Sequence, residues 1–329
     1  MGRNHARLYD HMPGTRLVGV VDTNAATGDQ IARLCHTVAF TDHRRLLDEI
    51  QPEIVTVAVP TEFHRRVGLD ALEAGCHVLI EKPIAATEGQ ARELIERADA
   101  LGRKLMVGHI VRFDPAVQAL KRRLEAGELG RIFQVRCRRL GPFPARVRDV
   151  GVVIDLATHD LDLIRYLTGQ EATRVYAETE QEIHSLYEDL LIGTVRMADG
   201  TIGVLDINWL TPTKVRELTV TGERGMFLVD LLTQDLYFYE NAETDGQRWS
   251  TISLLRGVSE GRMIRYPVHK CEPLRAELEG FVRAVVEDEP VPVDGRDGLA
   301  ALQLARALVH SGREGCAIGK LDGDWQVVR

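Results

Sequence analysis

The chain has 329 residues, 44% of them hydrophobic and 27% charged, which is ordinary for a globular protein and long enough for two domains. Its formal net charge of −8 argues against nucleic acid and against an anionic membrane as main partners. The five cysteines never fall in a Cys-x-x-Cys spacing and no apolar run reaches about 18 residues, which predicts a cytoplasmic protein with reduced thiols and no metal site.

The first hundred residues alternate short apolar strands with helices. The opening residues 1–7 are typical of a helix already under way, and the first predicted strand covers 16–22. Further strands are predicted at 37–40, 53–59, 76–80 and 104–107, and helices at 25–34, 42–50, 62–74 and 88–101. This α/β order predicts a Rossmann-type, doubly wound parallel sheet, and we place a dinucleotide-binding domain at 1–108.

The pattern changes near residue 109. Helices are predicted at 115–126 and 151–167, on either side of a strand at 131–139 and a proline-rich loop at 141–145. Residues 173–255 are mostly β, with a hairpin turn at Asp199-Gly200, and helices follow at 273–287 and 295–311. We therefore predict an α+β domain over 109–329 with a large open antiparallel sheet. Its uncovered face would join a second copy in a homodimer or homotetramer.

The glycine-rich turn of the dinucleotide-binding domain is incomplete in this sequence. In such a domain a strand and a Gly-x-Gly-x-x-Gly turn bring the cofactor pyrophosphate to a helix N-terminus. Gly2 fits the last glycine of the turn, and the strand and the first two glycines have no counterpart. We expect that the start codon was assigned to an internal methionine, Met1, and that the true protein begins upstream. If the chain is complete as written, we expect unpaired strand edges, poor stability and weak cofactor binding.

Candidate cofactor ligands follow two of the predicted strands. Asp22 ends a strand where a carboxylate accepts hydrogen bonds from the adenosine ribose, and no arginine follows it to bind a 2′-phosphate. This favours NAD over NADP, although an ordinary turn aspartate is the alternative. Pro60, Thr61 and His64 come after a later strand, where the loop would approach the nicotinamide ribose. His64 fits a solvated helix position equally well.

Glu81-Lys82-Pro83 ends the next strand and would face the same crevice. We expect both Glu81 and Lys82 to contact the cofactor. A lysine here hydrogen-bonds a substrate hydroxyl and lowers its pKa, which helps the hydroxyl lose its proton as hydride leaves. The alternative is a surface lysine in a strand-to-helix turn.

Asp155 and His159 are four residues apart on a predicted helix, so they share a face, which Asp162 extends. A histidine aimed at a sugar can take a hydroxyl proton, and an aspartate beside it can hold a second hydroxyl. Metal ligation is disfavoured because no third ligand has suitable spacing. A helix-terminal aspartate beside a structural histidine remains the alternative.

Arginines cluster on the strand at 131–139 and in the loop after it. Arg136 and Arg138 share one side of the strand, and Arg139, Arg146 and Arg148 follow. Arginine side chains suit phosphate and carboxylate, so the cluster indicates an anionic substrate. A solvated strand face explains the same pattern.

Taken together, these motifs resemble the Gfo/Idh/MocA family, the glucose-fructose oxidoreductase and inositol dehydrogenase family, over essentially the whole chain. The resemblance rests on the order and spacing of six stretches: Gly2-Arg3-Asn4-His5-Ala6, Val20-Val21-Asp22, Val59-Pro60-Thr61-Glu62-Phe63-His64, Glu81-Lys82-Pro83, Gly108-His109-Ile110-Val111-Arg112-Phe113-Asp114-Pro115 and Gly151-Val152-Val153-Ile154-Asp155-Leu156-Ala157-Thr158-His159-Asp160.

The resemblance implies hydride transfer between nicotinamide and a hydroxyl carbon of a sugar, cyclitol or nucleotide sugar. It implies that Lys82 and His159 act on the hydroxyl proton and that Asp155 binds substrate. Residues 138–151 look most like the branch that oxidises C3 of UDP-N-acetylglucosamine, in which Arg112, Arg138, Arg139 and Arg148 would bind the substrate.

Other functions fit the same sequence. Within the family, the substrate could be inositol or a simple sugar. Outside dehydrogenase chemistry, a non-catalytic sugar or nucleotide sensor and an NAD-requiring glycosidase are alternatives. The sensor is disfavoured because Lys82 and His159 are both present.

Overall fold

The computed structural model describes residues 1–144, 150–183, 186–242, 260–321 and 323–328. Two compact units divide the chain: unit 1 is Met1–Ile110 with Glu272–Leu302, and unit 2 is Val111–Cys271 with Gln303–Arg329. The chain passes from unit 1 to unit 2 after Ile110, two residues beyond the predicted domain boundary at 108. The return of 272–302 to unit 1 was not predicted.

Hydrogen bonds to main-chain oxygens explain why 272–302 belongs to unit 1. The N–H of Val107 donates to the carbonyl oxygen of Val293 at 3.1 Å, and Nζ of Lys104 donates to that of Glu289 at 2.8 Å. A single domain boundary at 108 therefore does not describe the chain, because the segment 272–302 completes the core of the first unit.

The helices and strands of unit 1 follow the predicted order. The helices that lie wholly in unit 1 are α1 Gly2–His11, α2 Ala25–Leu34, α3 His43–Ile50, α4 His64–Glu73, α5 Glu88–Leu101 and, later in the chain, α8 Pro273–Val286. The strands are β1 Val20–Val21, β2 Ala39–Phe40, β3 Ile54–Val57, β4 His77–Glu81 and β5 Leu105–Gly108. Local chemistry sets the ends of α5, since Thr87 Oγ1 accepts the N–H of Gln90 and Gly102 ends the helix at a φ of 60°.

The parallel strands of unit 1 form two separate sheets. Strand β1 pairs with β2, and β3, β4 and β5 form a three-stranded sheet in that order. Strands β1 and β3 each have one hydrogen-bonded neighbour among the described strands, and both line a cavity of about 1970 Å³ together with α1 and Val282 and Val285 of α8. Each of these two strands thus has one edge without a strand partner in the described part of the chain.

Unit 2 is built on a ten-stranded sheet with the order β13-β12-β11-β10-β6-β9-β8-β7-β14-β15. Its neighbours are antiparallel except β6 and β9, which run parallel. The strands are β6 Ile132–Pro142, β7 Ala172–Glu180, β8 Leu190–Met197, β9 Ile202–Asn208, β10 Leu210–Gly222, β11 Gly225–Asp230, β12 Asp235–Asn241, β13 Glu260–Tyr266, β14 Ile318–Leu321 and β15 Asp324–Val327. The predicted large antiparallel sheet is confirmed, with this one parallel pair.

Helices provide the apolar partner of the sheet. They are α6 Pro115–Glu125, α7 Thr158–Thr168 and α9 Gly295–Glu314, of which α9 begins in unit 1 and ends in unit 2. The alternation of strand residues sends Val135 and Cys137 of β6 and Leu218 and Val220 of β10 into one core with α7. No helix in the part of the chain that the structure describes is long and apolar enough to cross a membrane.

Candidate active site

The cavity of unit 1 brings together three residues that we predicted to contact a dinucleotide. Gly2, Asp22 and Pro60 all line it. Helix α1 begins at Gly2, and no side chain among the described residues caps it, so the first amides of the helix are available to an anion. A Cβ atom at Gly2 would meet only the Cβ of Ala58, at 3.9 Å, which leaves room above the helix end.

Asp22 is held at the end of β1. Its Oδ1 accepts the N–H of Asn24 at 2.8 Å, which orients the carboxylate, and Asn24 in turn caps α2 through its own side chain. Thr61 begins a short 3-10 turn, Thr61–Phe63, directly after Pro60. The residues present therefore fit the ribose and pyrophosphate groups of a dinucleotide.

The structure places His64 away from the cavity surface. Its Nδ1 lies 2.8 Å from the carbonyl oxygen of Pro83 and its Nε2 lies 2.9 Å from that of Val59, and the residue is 1% exposed. Burial lowers the pKa of His64, although the hydrogen bonds to both carbonyl oxygens oppose this. His64 therefore links the loop after β3 to the Lys82-Pro83 turn and does not make the predicted cofactor contact.

Glu81 also differs from its predicted role at the cofactor. Its Oε1 is 2.8 Å from Nε2 of His5 on α1, and both side chains are buried. Burial acts to raise the pKa of Glu81, but the hydrogen bond and charge of His5, with the charge of Lys82, outweigh it and lower the pKa. Glu81 is therefore a carboxylate that ties β4 to α1, and Lys82 follows it directly, half-buried.

A turn of π-helix, Val153–Ala157, carries Asp155 and leads into α7, which carries His159. Both side chains are half-buried, and the wide turn keeps them near one face of the continuous helix. Glu188 supports the helix start, because its Oε1 accepts the N–H of Val153 at 3.3 Å. A Cβ at Gly151 would lie 2.1 Å from that same oxygen, so a larger residue there would require the Glu188 carboxylate to move.

Two buried ion pairs hold α7 in unit 2. Arg139 donates to Asp160 from Nε at 2.8 Å and from Nη2 at 2.7 Å. Arg112 donates to Asp162 in the same two-point manner, from Nε at 2.7 Å. Burial alone would lower the pKa of Arg139, but the charge and hydrogen bonds of Asp160 raise it.

These contacts change the interpretation of the arginine cluster. Arg112 and Arg139 bind aspartates of α7, so they position Asp155 and His159 instead of presenting a free side chain to substrate. Arg138 points to the opposite face of the sheet, where it pairs with Asp206 and Glu217. Arg148 lies outside the described residues.

The sequence analysis did not identify two further residues, Arg216 and Glu277. Arg216 of β10 lies beside Arg139 and was overlooked because it is far from the cluster in sequence. Glu277 of α8 is fully buried, and its position among Leu274, Leu278 and Phe281 on an apolar helix face could have identified it. Among the residues that the structure describes, no group of three potential ligands could hold a metal ion.

Comparison with known proteins identifies the family. The model of the oxidoreductase family with an NAD-binding Rossmann fold matches residues 1–109, and that of the GFO/IDH/MocA C-terminal domain matches 117–228. The chain is 31% identical over 305 residues to UDP-N-acetylglucosamine 3-dehydrogenase of Acidithiobacillus ferrooxidans, covering 93% of this chain and 92% of that protein. It is 28% identical over 323 residues to inositol 2-dehydrogenase of Rubrobacter xylanophilus, covering 96% and 89%.

Solved structures agree. A structure of the Acidithiobacillus ferrooxidans enzyme superposes with a TM-score of 0.82 at 30% identity, covering 94% of this chain and 93% of that one. Levoglucosan dehydrogenase, in complex with NADH and levoglucosan, shares the fold at a TM-score of 0.84 and 20% identity, covering 97% and 96%. The chain therefore belongs to the Gfo/Idh/MocA family of oxidoreductases, and its N-terminal domain is an NAD-binding Rossmann domain.

Proposed function

We propose that the protein is an NAD-dependent dehydrogenase that oxidises a hydroxyl carbon of a nucleotide sugar, with C3 of UDP-N-acetylglucosamine as the first candidate. The observation that carries the proposal is the pair Asp155 and His159 on a helix fixed by two buried ion pairs, in a chain 31% identical to a UDP-N-acetylglucosamine 3-dehydrogenase. A helix held in this way keeps two polar side chains in a set geometry for a sugar ring.

The choice of NAD rests on Asp22. Gly2, Asp22, Pro60 and Thr61 would hold the cofactor, whose nicotinamide accepts the hydride when bound. The carboxylate of Asp22 would accept hydrogen bonds from the ribose hydroxyls and repel a 2′-phosphate. An Asp22→Ser variant should therefore lose affinity for NADH and gain relative affinity for NADPH, as measured by fluorescence titration of both.

The chain's own side chains would handle the hydroxyl proton. His159 is assigned as its acceptor and Lys82 as the cation that lowers the hydroxyl pKa, while Asp155 holds a neighbouring hydroxyl. Because general acid–base catalysis contributes about 10²–10⁴-fold, a His159→Ala variant should lose that much in kcat.

Inositol oxidation is the second candidate, favoured by the 28% identity to an inositol 2-dehydrogenase over nearly the whole chain. The deciding experiment follows NADH formation at saturating NAD with UDP-N-acetylglucosamine, myo-inositol and glucose in parallel. Turnover of the nucleotide sugar alone supports the proposal, and turnover of inositol alone replaces it. Unchanged turnover in a Lys82→Ala, His159→Ala double variant would refute the assignment of the proton-handling residues.

A further inference from the structure

Arg216 lies on the helix-covered face of the sheet in unit 2. It is paired in register with Arg139 on the neighbouring strand β6, and along β10 it has the same parity as the buried residues Leu218 and Val220. Its guanidinium therefore lies on the same side as α7. The charges of Asp160 and Asp155 both act to raise its pKa, which agrees with a position on the α7 side of the sheet.

The hydrogen bonds of Arg216 fix its position and leave most of its donors available. Nη1 donates to the carbonyl oxygens of Leu140 and Val215, at 2.5 Å and 2.7 Å. Neither Nε nor Nη2 has a hydrogen-bond partner among the described residues, and no described carboxylate lies in ion-pair range of the group. A Cβ atom at Gly141 would lie 3.9 Å from Nη1 and from Nη2, so glycine there leaves space beside the guanidinium.

Burial and a neighbouring cation both act on Arg216. Burial, followed by the charge of Arg139, lowers its pKa to about 10, and the charges of Asp160 and Asp155 oppose this. Arg112 and Arg139 differ from Arg216, since each binds an aspartate of α7 at two points. Arg216 is thus a half-buried cation with free donors and no carboxylate of its own.

We propose that Arg216 binds a phosphate oxygen of the nucleotide-sugar substrate and so determines its selection over uncharged sugars. The inference rests on the proposed function and deepens it. The planar side chain can donate from Nε and Nη2 together, which is the two-point geometry that phosphate oxygens accept. It also explains how an anionic substrate would be recognised although the predicted Arg138 lies on the opposite sheet face.

The test measures UDP binding by calorimetry and so does not depend on turnover. Arg216→Gln should weaken UDP binding at least 10-fold, whereas Arg196→Gln, on the open face and bonded to the carbonyl of Gly200, should not change it. Uridine, which lacks phosphate, should bind both variants as it binds the unaltered protein. If Arg216→Gln fails to fold, judged by circular dichroism, Arg216→Lys replaces it and should give a smaller loss.

The outcomes separate this inference from the proposed function. Equal UDP affinity in Arg216→Gln and the unaltered protein overturns the role of Arg216, as does absence of UDP binding by the unaltered protein. In steady-state assays, a KM for the nucleotide sugar raised at least 10-fold with kcat nearly constant supports it. Failure of the unaltered protein to oxidise any nucleotide sugar, with UDP binding still dependent on Arg216, rejects the proposed reaction alone.

Discussion

A carboxyl group without a hydrogen-bond partner among the described residues lies in the core of unit 1. Glu277 is fully buried on α8, and both of its side-chain oxygens are unpaired. Burial raises its pKa well above the usual value, and the nearby charge of Glu81 adds to this. Burial therefore favours the neutral form of Glu277, whose charged neighbour Glu81 pairs with His5 and ties α1 to β4.

This environment predicts a pH-dependent cost in stability. Because the folded state binds the Glu277 proton more tightly than the unfolded state, the free energy of unfolding falls as pH rises above about 4.3. The fall levels off only above the raised pKa. A Glu277→Gln variant should match the unaltered protein near pH 4 and exceed it by about 1–3 kcal/mol at pH 8, as measured by urea unfolding across this range.

The control is Glu279→Gln on the same helix. Glu279 is exposed and pairs with Arg275 at the surface, so its replacement should change stability by less than about 1 kcal/mol and without this pH trend. Parallel pH profiles for the two variants would show that Glu277 is not the source of the effect.

For single residues, the sequence predicted positions at the ends of strands better than it predicted the contact partners of side chains. Asp22 lies where the strand pattern predicted, because a strand end is a local property. His64 and Glu81 were assigned to the cofactor, yet their partners are Pro83, Val59 and His5. Such partners depend on how distant segments pack, and a single sequence carries no signal for them.

Among the elements, α7 depends most on buried charge. The pair Arg139–Asp160 is buried on both sides, so loss of one member leaves an uncompensated charge. We expect Asp160→Asn to lower the free energy of unfolding by about 3–5 kcal/mol. Replacing both members, Arg139→Met with Asp160→Leu, should recover most of that loss, because two apolar side chains need no ionic partner. Denaturant unfolding of Asp160→Asn, of the double variant and of the unaltered protein compares the two losses.

A surface pair provides the comparison for this cycle. Glu125→Gln removes the exposed partner of Lys121 on α6 and should cost less than about 1 kcal/mol. A double variant as unstable as Asp160→Asn alone would mean that α7 is held by the specific geometry of the pair and not by charge compensation.

Element positions were predictable where the signal is local. Helix α5 ends at Leu101 as predicted, and Gly102 after it adopts the left-handed conformation that favours glycine at a helix end. The parallel pairing of β6 with β9 was not predictable, because strand order across α7, β7 and β8 is set by the whole sheet. The π-helical turn at 153–157 likewise has no sequence pattern that distinguishes it from α-helix.

Over the whole molecule, the alternation of strands and helices was sufficient to predict two domains and their fold classes. It was insufficient to show that 272–302 returns to unit 1. Helix α8 has an apolar face whichever core it joins. The apolar period of its sequence indicates such a face but does not indicate which surface the face packs against. The contacts of α8 with α1, both in unit 1, show which core α8 joins.

The open face of the ten-stranded sheet supports the last prediction, that copies of the chain associate through it. Large apolar side chains lie on this face, including Tyr176 of β7, 37% exposed, and Ile192 of β8, 47% exposed. Covering such side chains is favourable, and two identical faces can cover each other by a two-fold axis. Light scattering at micromolar concentration should therefore give at least twice the chain mass of 36.7 kDa.

An Ile192→Glu variant tests this face directly, because a charge buried against its symmetry mate without a partner is costly. We expect it to shift the measured mass to that of one chain while leaving the far-UV spectrum unchanged. Leu232→Glu is the matched control, since Leu232 is 49% exposed but lies in the turn between β11 and β12. A monomeric unaltered protein would contradict the prediction. Dissociation by Leu232→Glu, with Ile192→Glu still associated, would assign the contact to another surface.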